Sequence, residues 1–194
     1  MSFNFYAVSR FKDSEAIFDA KWTNIANFIE NIGIENINDY LTVENDFIDF
    51  LRMFYTDSST IPQEKYGLSL LGFCINVHDL KIFSEKHFYG LKDVKTRLYA
   101  LAKLNISYIS ENDLTFLLRC WVRDLCSIHF FDVSTGSLLR SSDESFTFTM
   151  ILREDVEISD IFEPVDNVYI HEALDPDIAQ HTNKFFNFKD IGRI

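Results

Sequence analysis

The chain has 194 residues and a formal net charge of −12, with 47% hydrophobic and 25% charged side chains. These values fit one globular domain spanning 1–194 and exclude long disorder, collagen-like repeats and low-complexity classes. The sign of the charge argues against nucleic acid and anionic membrane surfaces as partners, since both call for an extended positive face.

Taken in chain order, Phe3 to Val8 (FNFYAV) is short, aromatic-rich and bounded by polar residues, which predicts a strand. Asp13 or Ser14 then caps a helix whose stripe is Phe18, Trp22, Ile25, Ile29 and Ile32, and Gly33 ends it in a left-handed conformation. Thr42 opens a second helix through Tyr55, with Val43, Phe47, Phe50, Leu51 and Phe54 inward and Glu44, Asn45, Asp49 and Arg52 toward water; its acids Glu44 and Asp46 sit where the helix dipole favours them. Residues 56–67 (TDSSTIPQEKYG) read as a loop, because Pro62 biases its predecessor away from helix. Leu68 to His78 is an apolar run compatible with either a buried strand or a short core helix. Leu80 to Phe88 reads as a short helix, and Leu91 to Leu104 as a longer, basic one with a solvated charged face.

The stretch 110–131 (SENDLTFLLRCWVRDLCSIHFF) is the most apolar helical pattern in the chain. Leu114, Leu117, Leu118, Trp121, Leu125 and Ile128 recur at spacings of three and four, Ser110 and Asp113 form a start signal, and Thr115, Arg119, Arg123 and Asp124 are left facing solvent. A helix this apolar belongs at the centre of a core. His129 to Val133 and Ser137 to Arg140, joined through Ser134-Thr135-Gly136, predict a hairpin. Residues 146–152 predict a strand with one buried face, and Val165 to Ile170 another. Asp175-Pro176-Asp177 begins a final short helix. The layout implies an α+β domain: helix-rich in the first two thirds, with a mainly antiparallel sheet from the C-terminal third and the N-terminal strand.

Catalytic motifs do not emerge. The six glycines are not arranged as a phosphate-binding loop, and no serine sits in a nucleophile elbow. His171-Glu172-Ala173-Leu174-Asp175 departs from the zinc helix motif at its second histidine, so no metal is expected, and no cofactor motif appears. Cys74, Cys120 and Cys126 form no closely spaced pair, and two lie in the apolar 110–131 stretch, so they read as buried reduced thiols; Cys126 with His129 reads as core, not as a nucleophile and its base. The absence of an 18-residue apolar run and of a basic-then-apolar N-terminus predicts a cytoplasmic protein without a signal peptide. The abundance of Phe, Ile and Asn fits a low-GC, bacterial or phage coding sequence.

Charge is unevenly distributed. Residues 1–65 carry a net −6, residues 66–140 a net +2 and residues 141–194 a net −8. The acidic segment contains Glu154, Asp155, Glu157, Asp160, Glu163, Asp166, Asp175 and Asp177, interleaved with Phe162 and Tyr169. Such a field attracts a basic partner and aromatics anchor it, so these residues form the candidate partner-binding set. The expectation is a non-enzymatic acidic binding protein. The functional class that suits it is the bacterial immunity protein that neutralises a basic, nuclease-type toxin. Two other readings stay open: a phage-encoded inhibitor that mimics DNA toward a host defence nuclease, and an enzyme with an unrecognised small-molecule site.

Overall fold

A computed structural model describes residues 3–12, 20–60, 71–103, 109–132, 137–141 and 146–172. Six strands form one antiparallel sheet in the order β2-β3-β4-β5-β1-β6. They are β1 (Phe3–Ser9), β2 (Leu71–Val77), β3 (Cys126–Asp132), β4 (Ser137–Ser141), β5 (Thr147–Arg153) and β6 (Tyr169–Glu172). The helices are α1 (Ile25–Asn31), α2 (Ile37–Thr60), α3 (Val94–Leu101), α4 (Glu111–Val122) and the short α5 (Ile158–Ile161). The α+β expectation holds, although β2 and β3 bring the middle of the chain into the sheet. The N-terminal strand is not an edge: β1 pairs with β5 on one side and β6 on the other.

Strand alternation builds the core. Tyr6, Met150, Leu139 and Phe130 align across four strands, all on one sheet face, and all four are buried. Against them lies α4, whose Trp121 packs edge-on to Phe148, with centroids 4.9 Å apart, and at a tilt to Phe130. Phe47 of α2 reaches the same face through Phe146 and Phe148. Each such fully buried side chain contributes about 1.5–3 kcal/mol relative to an exposed one. Burial on β5 is not limited to one face, as Thr149 and Ile151 are buried along with Phe148, Met150 and Leu152.

Several boundaries differ from the sequence reading. The 110–131 stretch is two elements. Ser110 caps α4 as expected, accepting from Asp113 N at 3.2 Å. The helix then closes after Val122: Leu125 N donates to Cys120 O at 2.9 Å and Asp124 N to Trp121 O at 3.0 Å, with Asp124 left-handed at φ 60°. That is a Schellman closure with aspartate where glycine is usual, and Leu125 supplies its apolar contact. The chain reverses and Cys126 begins β3, so Ile128 belongs to a strand.

The first helix is shorter than its apolar stripe. Asn24 caps α1, accepting from Asn27 N at 3.0 Å, so Trp22 precedes the helix. Its carbonyl accepts from Arg10, whose guanidinium also lies 3.7 Å from the centre of the indole. Phe18 and the Asp13 or Ser14 cap lie outside the described residues. Gly33 does end this region at positive φ, but φ 107° and ψ 147° are an extended glycine conformation, not the left-handed helical one.

Helix α2 starts five residues before Thr42 and runs through residues 56–60, expected as loop. Ile37 and Tyr40 extend the buried stripe of Phe47, Phe50 and Leu51 toward the N-terminus. Residues 71–77 are a strand paired with β3 along its length. The 80–88 segment is two 3₁₀ turns, Leu80–Ile82 and Glu85–Phe88. The last strand falls at Tyr169–Glu172, because Val165 to Val168 form a turn with Asn167 at φ 57°. Among the described residues no helix is long and apolar enough to cross a membrane.

Candidate binding surface

Residues 153–172 contain seven acids and one base, Arg153. They form a strap leaving the end of β5 and returning to the sheet as β6. A turn closes the first step, Val156 N donating to Arg153 O at 2.9 Å, and α5 follows. Phe162 then anchors the strap, stacking on Phe50 of α2 with centroids 4.4 Å apart and planes 21° apart. Beyond it, Asn167 Nδ2 donates to Asp46 Oδ2 at 2.7 Å, a second tie to α2. Backbone pairing of β6 with β1 fixes the far end, and His171 Nε2 donates to Phe11 O at 3.0 Å.

The strap therefore holds five of its acids outward on a frame tied at both ends. Glu154, Asp155, Glu157, Glu163 and Asp166 are all exposed. Asp155 is partly neutralised: Arg153 grips it through two charge-assisted bonds of 2.5 and 2.6 Å, and these hold its carboxyl below the usual range. Asp46 and the exposed Asp49, one helical turn apart on α2, bring two more carboxylates to the helix that the strap crosses.

Phe162, expected as an interface anchor, is only 6% exposed and belongs to the core. Its alternation with acids resembles a surface pattern, but α2 lies directly beneath it. Tyr169 is 37% exposed on the last strand and is the aromatic of the set that is accessible. Asp160 lies in α5; Asp175 and Asp177 lie outside the described residues.

A second group of charges was misread from sequence. Glu44 and Arg123, both assigned to solvent, are 0% and 1% exposed. Arg123 donates to both carboxylate oxygens of Glu44, at 2.5 and 3.0 Å, and through Nη1 to Tyr89 O at 2.6 Å and His87 O at 3.3 Å. Arg119 Nε lies 2.8 Å from the same carboxylate. Burial pulls the Arg123 pKa down, yet bonding to Glu44 and its charge win, leaving it above its ordinary value. Burial and the nearby Glu44 charge push the Tyr40 phenol well up, so it stays neutral. The cluster ties α2, α4 and the 85–89 turn together. One signal for it was legible: Glu44 continues the Ile37, Tyr40, Phe47 and Leu51 stripe at spacings of three and four.

Cys120 and Cys126 are buried free thiols, and the side chain of Cys74 lies outside the described residues. Burial raises Cys120 to about 12 and Cys126 well above the ordinary range. Cys126 and His129, three apart on β3, point to opposite sheet faces. Among the described residues no group of three or more His, Cys, Asp or Glu side chains is placed to hold a metal ion. Comparison with protein-family models, with curated proteins and with solved structures finds no match.

Proposed function

We propose that this chain is a non-enzymatic binding protein whose acidic strap engages a basic protein partner, in the manner of a bacterial immunity protein that neutralises a nuclease-type toxin. The observation that carries the reading is the strap's construction. Five exposed carboxylates are displayed between two sheet strands, on a segment pinned by Phe162 and Asn167, with a single neighbouring base. Like charges held this close repel one another in the free protein, and a basic surface relieves that repulsion on binding. Pinning the strap beforehand lowers the ordering cost of association. The acids speed encounter and exclude wrong partners, while contact area comes from neighbours such as Tyr169.

The test is capture from host cells by the immobilised full chain, at low and at high salt, followed by neutralisation of the captured protein's activity. A basic protein released by salt and inhibited by the chain is the expected result. Reversing Glu154, Glu157, Glu163 and Asp166 together to lysine removes capture. Unchanged capture by that variant, with unchanged salt dependence, overturns the proposal.

A further inference from the structure

The sheet ends in two edges that differ in charge. One is β2, whose sequence LGFCINV contains neither an acidic nor a basic residue. The other is β6, Tyr169–Glu172, which pairs with β1 on one side and with no described strand on the other. Among the described residues no further backbone hydrogen bond involves Tyr169–Glu172. An edge strand turns the N–H and C=O groups of alternate residues away from its neighbour, and that row is a template for another extended chain.

The surroundings of β6 select what can be added to it. The strap leaves β5 at Arg153, which pairs with Phe3, and enters β6 at Tyr169, which pairs with Ser9, so it runs from one end of β1 to the other. Residues 154–172 contain seven acids and no lysine or arginine. Glu154, Asp155, Glu157, Glu163, Asp166 and Glu172 are exposed. Of the bases at the ends of β1 and β5, Arg153 is paired with Asp155, while Arg10 lies over the Trp22 ring and donates to its carbonyl. Lys12 remains, exposed, against that group of acids. A second copy of the chain would set the same acids against each other, and like charges facing across paired strands are unfavourable. A neutral or acidic segment has nothing to offer the field of the strap. A segment bearing lysine or arginine satisfies both the open backbone groups and the charge.

We infer that β6 takes up an extended, Lys/Arg-bearing segment of the partner as a seventh strand. The inference rests on the strap being the surface that meets a basic partner, and it adds how that partner is held. Main-chain bonds to β6 fix the register, the strap carboxylates meet the basic side chains, and Tyr169, 37% exposed, offers its ring to an apolar side chain of the added strand.

NMR titration of the full chain tests this with three octapeptides. One alternates lysine and valine, the second is its fully N-methylated counterpart, and the third alternates glutamate and valine. The lysine peptide binds and slows hydrogen exchange at amides within Tyr169–Glu172. The N-methylated peptide keeps the charge but loses its backbone donors, and binds roughly tenfold or more weakly. The glutamate peptide does not bind. Reversing Glu154, Glu157, Glu163 and Asp166 to lysine removes binding of the lysine peptide, and the thermal melt of that variant matches the parent because all four residues are exposed. Equal binding of the plain and N-methylated peptides overturns the inference while leaving the strap as an electrostatic surface. Protection that appears at Leu71–Val77 in place of β6, or a glutamate peptide that binds as well as the lysine one, also overturns it. So does a lysine peptide that fails to bind, and capture of a basic protein from host cells by the same chain would then still support the strap reading alone.

Discussion

The Glu44 cluster and the acidic strap use the same chemical group to opposite ends. Glu44 is wholly buried, and its charge is met by Arg123 and Arg119. Glu154, Asp155, Glu157, Glu163 and Asp166 of the strap are exposed, and of these five only Asp155 has an ion pair among the described residues. Burying a charge is costly, so a carboxylate in the core persists only where its partners are fixed in place, and there it specifies how elements meet. An exposed carboxylate adds little to stability and is free to act on what approaches. The contrast shows that an acid's role follows from what its helix or turn is pressed against, not from its neighbours in sequence.

The sharpest way to break this contrast is Glu44→Gln. It leaves two guanidinium groups facing a buried site without their counter-charge, and urea unfolding should show a loss of about 3–5 kcal/mol. Combining it with Arg123→Met should cost less than the separate effects added together, since the pair acts as a unit. Additive losses would show that the two residues are not coupled.

Phe162→Ala comes next, at about 3 kcal/mol, the lower end for deletion of a buried phenylalanine. The loss should appear as a lower denaturation midpoint for the chain alone. Were Phe162 a partner anchor instead, stability would hold and only binding would fall.

Acidity provides an intermediate effect. Burial lowers the pKa of His87, and burial with the Arg140 charge lowers that of His129. For each, the unfolded state binds protons more readily below its ordinary value of about 6.5. Their contribution to stability is therefore complete above that pH and is lost as pH falls toward the folded value. Bonds from Lys86, Arg97 and Arg153 hold Glu30, Asp113 and Asp155 below the usual carboxylate range. Their contribution is present above about pH 4 and is lost on further acidification. Denaturation midpoints measured from pH 7 downward should thus fall in two stages. His129→Asn should flatten only the upper one, and an unchanged upper stage would refute that assignment.

The smallest expected effect on stability is reversal of the strap itself. Changing Glu154, Glu157, Glu163 and Asp166 to lysine moves the net charge by eight from −12, yet the unfolding free energy should shift by no more than about 0.5 kcal/mol. A thermal melt far from that of the parent would mean that the strap acids have structural partners, and would erase the distinction drawn between the two regions.

The places where the sequence misled share a cause. Helix α4 ends at an aspartate in the left-handed region, and no local composition separates that aspartate from a solvent-facing one. The apolar spacing continued past it, so β3 resembled more helix. Helix α1 was extended backward because Trp22 falls on its stripe, although it is held by Arg10 and by the rings of Phe28, Tyr40 and Phe146. The strap was legible as an acidic segment because charge density needs no geometry to be seen. Its inward-facing anchor was not, because Phe162 is an isolated apolar residue between acids until Phe50 is placed beneath it.

By itself the sequence determined the class of this protein: an α+β domain, the Ser110 cap, the hairpin of β3 and β4, and the concentration of negative charge after Arg153. These follow from periodicity, capping chemistry and composition, all of which act over a few residues. Only the tertiary structure decided which carboxylates are interior and which are displayed, that β1 lies inside the sheet, and that Lys81 and Lys95 border a cleft. Those outcomes depend on contacts between residues far apart in the chain, as between Glu44 and Arg123, and desolvation at such contacts determines what a charge does.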